Sequence, residues 1–399
     1  MASTVVSLGD VAEFIRGINF KPDDVVPPGT PDTVACLRTS NVQAELDLSD
    51  VWAVPKPFVK RPEQLVQPGD ILVSSANSWN LVGKCCWIPE LPWQTSFGGF
   101  VSVLRPNPNK VEPRFLYRWF ASGRIQALLR SFGQRTTSIS NLNIERCRQL
   151  RLPLPPLPEQ RRIAAILDKA DELRAKRRAA LEQLNLLPQV IFLELFGDPA
   201  TNAKGWKAAP LGELCAAVID CPHSTPTYSQ EPTPFACVRS SDIQNSELTL
   251  DDAKYVDEAE YQKRVSRGQP QRGDVIYCRE GARFGNAARV TDAPICLGQR
   301  MMLFRPNLTE ATSEFIWGFL SNHSTYREAT RLVGGSAAPH VNIRDIVSFR
   351  APLPPLNLQQ KFTDCIRAID STRCAQRASL KGVEALFSGV QHRAFAGAL

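Results

Sequence analysis

The chain has 399 residues, 43% hydrophobic and 22% charged, the balance of an ordinary soluble globular protein of about two to four domains. That composition excludes wholesale disorder. No apolar run approaches the ~20 residues that span a bilayer, and Met1 to Phe20 lacks the basic and apolar regions of a secretory signal. In chain order, short strands with Gly- and Pro-rich turns are predicted at Val34–Leu37, Asp70–Ser74 and Phe100–Leu104. One or two helices follow over Pro113–Phe132, where Phe115, Leu116, Trp119, Phe120, Ile125, Leu128 and Leu129 recur at helical spacing. The prolines of Leu152–Leu157 force an extended segment. A long helix over Pro158–Phe196 comes next, with a kink or one-turn break expected at Pro188, and Gly197-Asp198-Pro199 stops it.

The grammar then repeats. Ala35-Cys36-Leu37-Arg38-Thr39-Ser40-Asn41-Val42 matches Ala236-Cys237-Val238-Arg239-Ser240-Ser241-Asp242-Ile243. Gly69-Asp70-Ile71-Leu72 matches Gly273-Asp274-Val275-Ile276, and Leu104-Arg105-Pro106-Asn107 matches Phe304-Arg305-Pro306-Asn307. Pro153-Leu154-Pro155-Pro156-Leu157 matches Pro352-Leu353-Pro354-Pro355-Leu356. Collinear matches of this kind at half the chain length establish a duplication. The second copy predicts strands at Phe235–Val238, Asp274–Cys278 and Arg300–Phe304, helices over Thr312–Val333, and a long helix over Leu358–Phe395.

The fold class expected is α+β: two similar mixed domains separated by two long antiparallel helices that form a coiled coil with pseudo-twofold symmetry. The segments are 1–151 and 199–350 for the domains, with 152–198 and 351–399 for the proline junctions and helices. Each helix carries an apolar seam at three-and-four spacing that needs a partner. The seam residues Ile163, Ile166, Leu167, Leu173, Leu184, Phe362, Ile366, Ile369 and Leu386 are candidates for a subunit interface. The alternative is that each helix folds back on its own domain.

Catalytic signatures are missing. There is no G-x-G-x-x-G, and Gly83-Lys84-Cys85 lacks the hydroxyl of a phosphate loop. No Asn-Pro-Pro-aromatic or Asp-Pro-Pro-aromatic tetrapeptide, of the kind that holds a flipped base, occurs. Asp252-Ala253-Lys254 stands without the second carboxylate that a metal-dependent nuclease needs. The 11 cysteines and 4 histidines are scattered, which argues against a zinc site and for the reduced thiols of a cytoplasmic protein. Lys plus Arg (47) exceeds Asp plus Glu (40), and the formal charge of +7 permits a polyanionic partner. A binding protein fits better than an enzyme.

Two unlike halves, each closed by Pro-Leu-Pro-Pro-Leu and a long helix, resemble the specificity subunit of a type I restriction–modification enzyme. The run from Leu154 through Pro158-Glu159-Gln160-Arg161 to Asp168, ending at Leu195-Phe196-Gly197-Asp198-Pro199, resembles that family's central region. The second junction departs from it, with Asn357-Leu358-Gln359-Gln360 in place of Pro158-Glu159-Gln160-Arg161. The resemblance implies a non-catalytic subunit without cofactor. Each target recognition domain would read half of a bipartite double-stranded DNA site, and the helices would set the spacing and dock two modification subunits. S-adenosylmethionine, ATP and Mg²⁺ would belong to the modification and restriction subunits, and no membrane is implied.

Residues able to reach base edges or phosphates stand after the strands. In the first half they are Arg38, Ser40, Asn41, Asn77, Ser78, Trp79, Lys84, Arg135, Thr136 and Thr137. In the second they are Arg239, Ser241, Arg279, Arg283, Gln299, Arg300 and Ser336. Turn formation and capping explain many of the same residue types. Arg38 and Arg239 match each other and fit a structural or phosphate-binding role, because a specificity residue should differ between halves. Two further readings stand beside this one: a coiled-coil adaptor that binds no DNA, and the specificity part of a fused endonuclease.

Overall fold

The computed structural model describes residues 4–135, 139–281, 283–291, 294–333 and 340–395. The duplication is visible strand by strand. In the first copy, Ala12–Arg16, Val101–Pro106, Ile71–Ser74 and Cys85–Trp87 form an antiparallel four-stranded sheet in that order. Cys215–Asp220, Met301–Pro306, Val275–Cys278 and Ala287–Arg289 repeat it in the second. A three-stranded sheet accompanies each. Thr33–Leu37 lies between antiparallel Trp52–Pro55 and parallel Thr95–Phe97, as Phe235–Val238 lies between Lys254–Val256 and Ile295–Leu297. The proline segments become edge strands: Arg151–Leu154 pairs with Thr4–Ser7, and Arg350–Pro352 with Ala208–Pro210. A strand edge tolerates proline's missing N–H.

The repeated motifs have a structural reason. Gly69 and Gly273 sit at φ +95° and +89°, a turn that favours glycine. The following aspartate is buried and grips the repeated arginine of the next sheet strand. Arg105 donates Nε and Nη2 to Asp70 at 2.8 and 2.6 Å, and Arg305 donates the same pair to Asp274 at 3.0 and 2.8 Å. Gly-Asp and Arg-Pro, far apart in sequence, are the two halves of one latch.

Each copy ends in a 40-residue helix, Leu157–Phe196 and Leu356–Phe395. A buried glutamine fixes both starts. Gln160 accepts from the Glu112 amide at 2.8 Å and donates to the Pro155 carbonyl at 2.8 Å; Gln359 accepts from Thr312 at 2.9 Å and donates to Pro354 at 2.9 Å. The departures around Gln359 therefore leave the helix start in the same register.

Chain contacts divide the molecule into two compact units, Met1–Lys176 with Leu380–Leu399, and Arg177–Ser379. These units differ from the sequence segments, because both helices are shared between them. In the first unit, Ile163 and Leu167 of the central helix share a core with Phe387 and Ala394 of the C-terminal helix. In the second, Phe192 and Phe196 of the central helix share a core with Phe362, Ile366 and Ile369. Each helix thus folds back on its own domain over its first half, and its second half completes the core of the other copy. Within the second unit the helices run antiparallel: Arg177 donates to Gln376, Arg373 to the Leu184 carbonyl, and Phe192 meets Phe362.

Pro188 does not break the central helix. Proline removes one backbone donor and frees the carbonyl four residues earlier. That carbonyl, Leu184 O, receives Arg373 Nη2 at 2.8 Å. The same helix is long and apolar enough, by length and composition, to cross a membrane, although Glu182, Asn185, Gln189 and Glu194 keep it from being an unbroken apolar run. Its Phe192 and Phe196 are buried in a protein core, and Arg373 is held against it.

All eleven cysteines are free thiols; eight are buried, Cys215 is half-buried, and Cys365 and Cys374 are exposed. Burial pushes Cys36 and Cys147 up to about 12, so both stay protonated at neutral pH. Titration of the native protein with a disulfide reagent should give two fast thiols, the remainder reacting only on unfolding. A larger fast fraction would contradict the burial.

Candidate nucleic-acid interface

The sequence candidates gather at one end of each domain, because parallel and antiparallel strands finish there together. In the first copy the Gly98 amide donates to Leu37 O at 2.9 Å, joining the ends of two parallel strands. Ser75 and Ala76 donate to Phe100 O, both at 3.0 Å, joining the end of Ile71–Ser74 to the same turn. Ala76–Asn77 then pairs with Ser140–Leu142, which pairs with Gly133–Arg135, so the register sets Asn77 opposite Ser140 and Ser140 opposite Arg135. Lys84 donates to Gln43 at 2.7 Å, tying the turn after Asn77 to the segment after Asn41. The second copy repeats the arrangement: Gly298 donates to Val238 O at 2.8 Å, Arg279 to Arg300 O at 3.1 Å, and Val341 to Arg279 O at 3.2 Å.

Several candidates turn inward. Asn41 is 1% exposed and spends its amide on the Arg38 N–H and on the Asp47 and Asp50 carbonyls. Arg38 stacks over Trp52 at 3.6 Å and pairs with Asp50. Arg239 grips Asp242 through Nε and Nη2 at 3.1 and 2.7 Å, which holds its guanidinium above the ordinary arginine range. These three brace the turn after a strand. Arg279 is 3% exposed, within reach of Asp220 at 3.4 Å and Glu280 at 3.0 Å, with the rings of His223 and His340 at 3.2 and 3.4 Å. A guanidinium so enclosed supports its loop; it does not reach a base edge. The physical reason is common to all four: a polar residue just past a strand end is also where a buried turn needs hydrogen bonds.

Other candidates face outward. Ser40, Ser78, Trp79, Ser241, Arg283 and Arg300 are exposed, and Asn77, Lys84 and Gln299 are half-buried. Ser78 donates to Asn80 at 2.7 Å, Asn77 to Ser74 at 3.1 Å, and Thr225 to Gln299 at 3.0 Å. Arg135 is placed by its strand pairing. Thr136, Thr137 and Ser336 lie outside the described residues. The sequence reading missed Gln43, the partner of Lys84; His223 and His340, which flank Arg279; and Phe100, placed only as a strand start. A lone histidine or a turn phenylalanine carries no local signal.

The helix candidates lie elsewhere, and burial corrects five of them. Ile163, Leu167, Phe362, Ile366 and Ile369 are at most 7% exposed inside the chain's own cores, so another subunit cannot reach them. Ile166 and Leu184 are half-buried, whereas Leu173 and Leu386 are exposed. Among the described residues no cluster of three metal-ligating side chains occurs.

The family described as "Type I restriction modification DNA specificity domain" matches twice, over residues 2–183 and 203–384. A type I restriction enzyme specificity subunit of Methanocaldococcus jannaschii, MjaX, is 26% identical over 336 residues, 79% of this chain and 75% of that one. The EcoKI specificity subunit of Escherichia coli is 24% identical, over 99% of this chain and 89% of its own. The crystal structure of the type I system S subunit of M. genitalium shares the fold, with a TM-score of 0.58 at 15% identity over 99% of both chains. Two family matches that coincide with the two structural repeats leave one conclusion: the chain belongs to the specificity subunits of type I restriction–modification systems, the non-catalytic subunits that give those enzymes their DNA sequence specificity.

Proposed function

We propose that each copy reads one half of a bipartite duplex DNA site through its cluster of strand-end loops. One observation carries this reading: the scaffolds agree down to the Asp70–Arg105 and Asp274–Arg305 latches, while the loops they present differ. Ser75-Ala76-Asn77 in one copy stands where Arg279-Glu280-Gly281 stands in the other. A symmetric dimer reads a palindrome, whereas unlike readers on like scaffolds read two unrelated half-sites. Ser40, Asn77, Ser78, Trp79, Ser241, Gln299 and Arg300 are the base-contacting candidates; Lys84, Arg135 and Arg283 suit phosphates. Arg38 and Arg239, with Asn41 and Arg279, hold those loops in place.

The long helices set the distance between half-sites and dock two modification subunits, which carry S-adenosylmethionine; restriction subunits with ATP and Mg²⁺ join the same complex. The support for docking is exposed apolar surface: Leu186, Val190, Leu386 and Leu173 are 68%, 56%, 62% and 42% exposed. Surface of that kind marks a protein-contact site. Free cysteines fit the reducing cytoplasm where such a complex works.

Exchange of residues 1–151 for those of another specificity subunit tests the reading. Footprints of the assembled methyltransferase should show one half-site replaced and the other kept. Retention of both original half-sites, or a single contiguous footprint in the parent complex, refutes it.

A further inference from the structure

The two copies carry opposite chemistry at the same turn. Gly98-Gly99-Phe100 joins Thr95–Phe97 to Val101–Pro106; Gly298-Gln299-Arg300 joins Ile295–Leu297 to Met301–Pro306. Both turns are anchored at their first and last residues by main chain, and in the second the middle side chain, Gln299, also accepts from Thr225 at 3.0 Å. Gly98 and Gly298 donate to the end of a neighbouring strand, and the carbonyls of Phe100 and Arg300 accept from the loop that follows Ser74 and Cys278. The tip side chain is therefore free of structural duty. Phe100 is 64% exposed, one of the most exposed large apolar residues described. Arg300 is exposed too and, among the described residues, forms no ion pair, unlike Arg38, Arg239 and Arg279.

Two further observations single out Arg300. Its φ of +80° lies in the left-handed region that side chains other than glycine rarely enter. Such backbone strain persists where the surroundings impose it and concentrates at functional sites. Its Nη1 also lies 3.2 Å from the point a Cβ on Gly281 would occupy. In the register that aligns Asp70 with Asp274, Gly281 takes the place of Asn77. The arginine thus lies across a glycine that leaves it room, whereas the other copy combines a phenylalanine with an asparagine.

We propose that this tip is a specificity-determining position in each half-site, with Arg300 reading a guanine and Phe100 a thymine. An arginine offers paired donors that match O6 and N7 of guanine in the major groove, and an apolar ring packs against the C5 methyl of thymine. The assignment rests on the reading that each copy recognises one half-site.

The test uses the full chain in its assembled methyltransferase and a pool of duplexes randomised at both half-sites, with bound molecules sequenced. Arg300→Gly suits the left-handed backbone, and Phe100→Ala removes an exposed ring, so both should unfold at the parental temperature. R300G should lose about 5- to 150-fold of guanine preference at one position of one half-site, the range of a bidentate contact. F100A should lose about 4-fold of thymine preference at one position of the other, the value of a buried methyl. Uracil in place of that thymine should weaken the parental complex by the same factor and leave F100A unaffected. Unchanged base preferences in both variants overturn the proposal, as does an F100A defect spread equally over all sequences. A parental complex without two separate half-sites overturns the underlying reading, and the tip assignment with it.

Discussion

Arg373→Ala should destabilise the second unit by about 3 kcal/mol and leave the first unit unchanged. Its side chain is 1% exposed and serves two groups, the Leu184 carbonyl and the Glu247 carboxylate. Nη2 donates at 2.8 Å to the Leu184 carbonyl that Pro188 leaves without its helical partner. Nη1 pairs at 2.7 Å with Glu247, on the hairpin Ile243–Gln244 and Glu247–Leu248, which in the first copy is reduced to the single bridge Val42–Leu46. Loss of the guanidinium orphans the carbonyl and weakens the hold on a half-buried carboxylate, although Arg377 still reaches Glu247. The cost therefore lies at the low end for a broken buried pair. Pro188→Ala restores the missing backbone donor, so in the Arg373→Ala background it should recover about 1 kcal/mol. Differential scanning calorimetry reads both. Equal transition temperatures for parent and R373A would remove Arg373 from this role, and the absence of recovery in the double variant would remove the proline from it. In the register that aligns Gln160 with Gln359, Arg174 is the counterpart of Arg373 and Phe387 that of Pro188. There the arginine stacks over the ring at 4.3 Å, so the repeat keeps the cation and changes what it meets.

Phe192→Ala should cost about 3–5 kcal/mol, and the loss should fall on the second unit although the residue belongs to the helix that begins at Leu157. The ring is fully buried. It meets Phe196, Phe315 and Phe362 at centroid distances of 5.0, 5.8 and 5.7 Å. It also fills the space beside Gly318, where a Cβ would come within 2.6 Å of it. Truncation leaves a cavity walled by three rings that cannot all move inward. Limited proteolysis with mass spectrometry distinguishes the units: new cleavage between 199 and 350 is expected. Cleavage confined to residues before Lys176 would contradict the shared core.

Periodicity and proline placement made the architecture legible. The strand expected at Val34–Leu37 is Thr33–Leu37, that at Phe235–Val238 is unchanged, and the helices begin within two residues of their expected starts. The duplication and the antiparallel course of the helices followed from the same features. The partner of each seam did not, because an apolar stripe records that a face is covered and not what covers it; Ile163 and Phe362 fit an intersubunit contact by spacing alone, and the chain's own cores cover them. The candidate interface was legible as a set of loops and not as side chains. Arg38, Asn41 and Arg279 share residue type and position with the proposed readers but are consumed by internal hydrogen bonds and ion pairs. The value of Phe100 emerges only when its turn is laid against that of Arg300.

The exchange of helix ends between the copies bears on synthesis at the ribosome. The first copy leaves the exit tunnel before the second, yet Phe387, Ala394 and Phe395, which seal its apolar face, emerge only after the second copy. About 200 further residues separate the two events, which at about 5–20 residues per second means a wait of about 10–40 s. Throughout that interval Ile163, Leu167 and Phe115 lack their final cover. The nascent polypeptide is then most exposed to chaperones and to aggregation, whereas the second copy meets Phe192 and Phe196 already made and closes as it emerges.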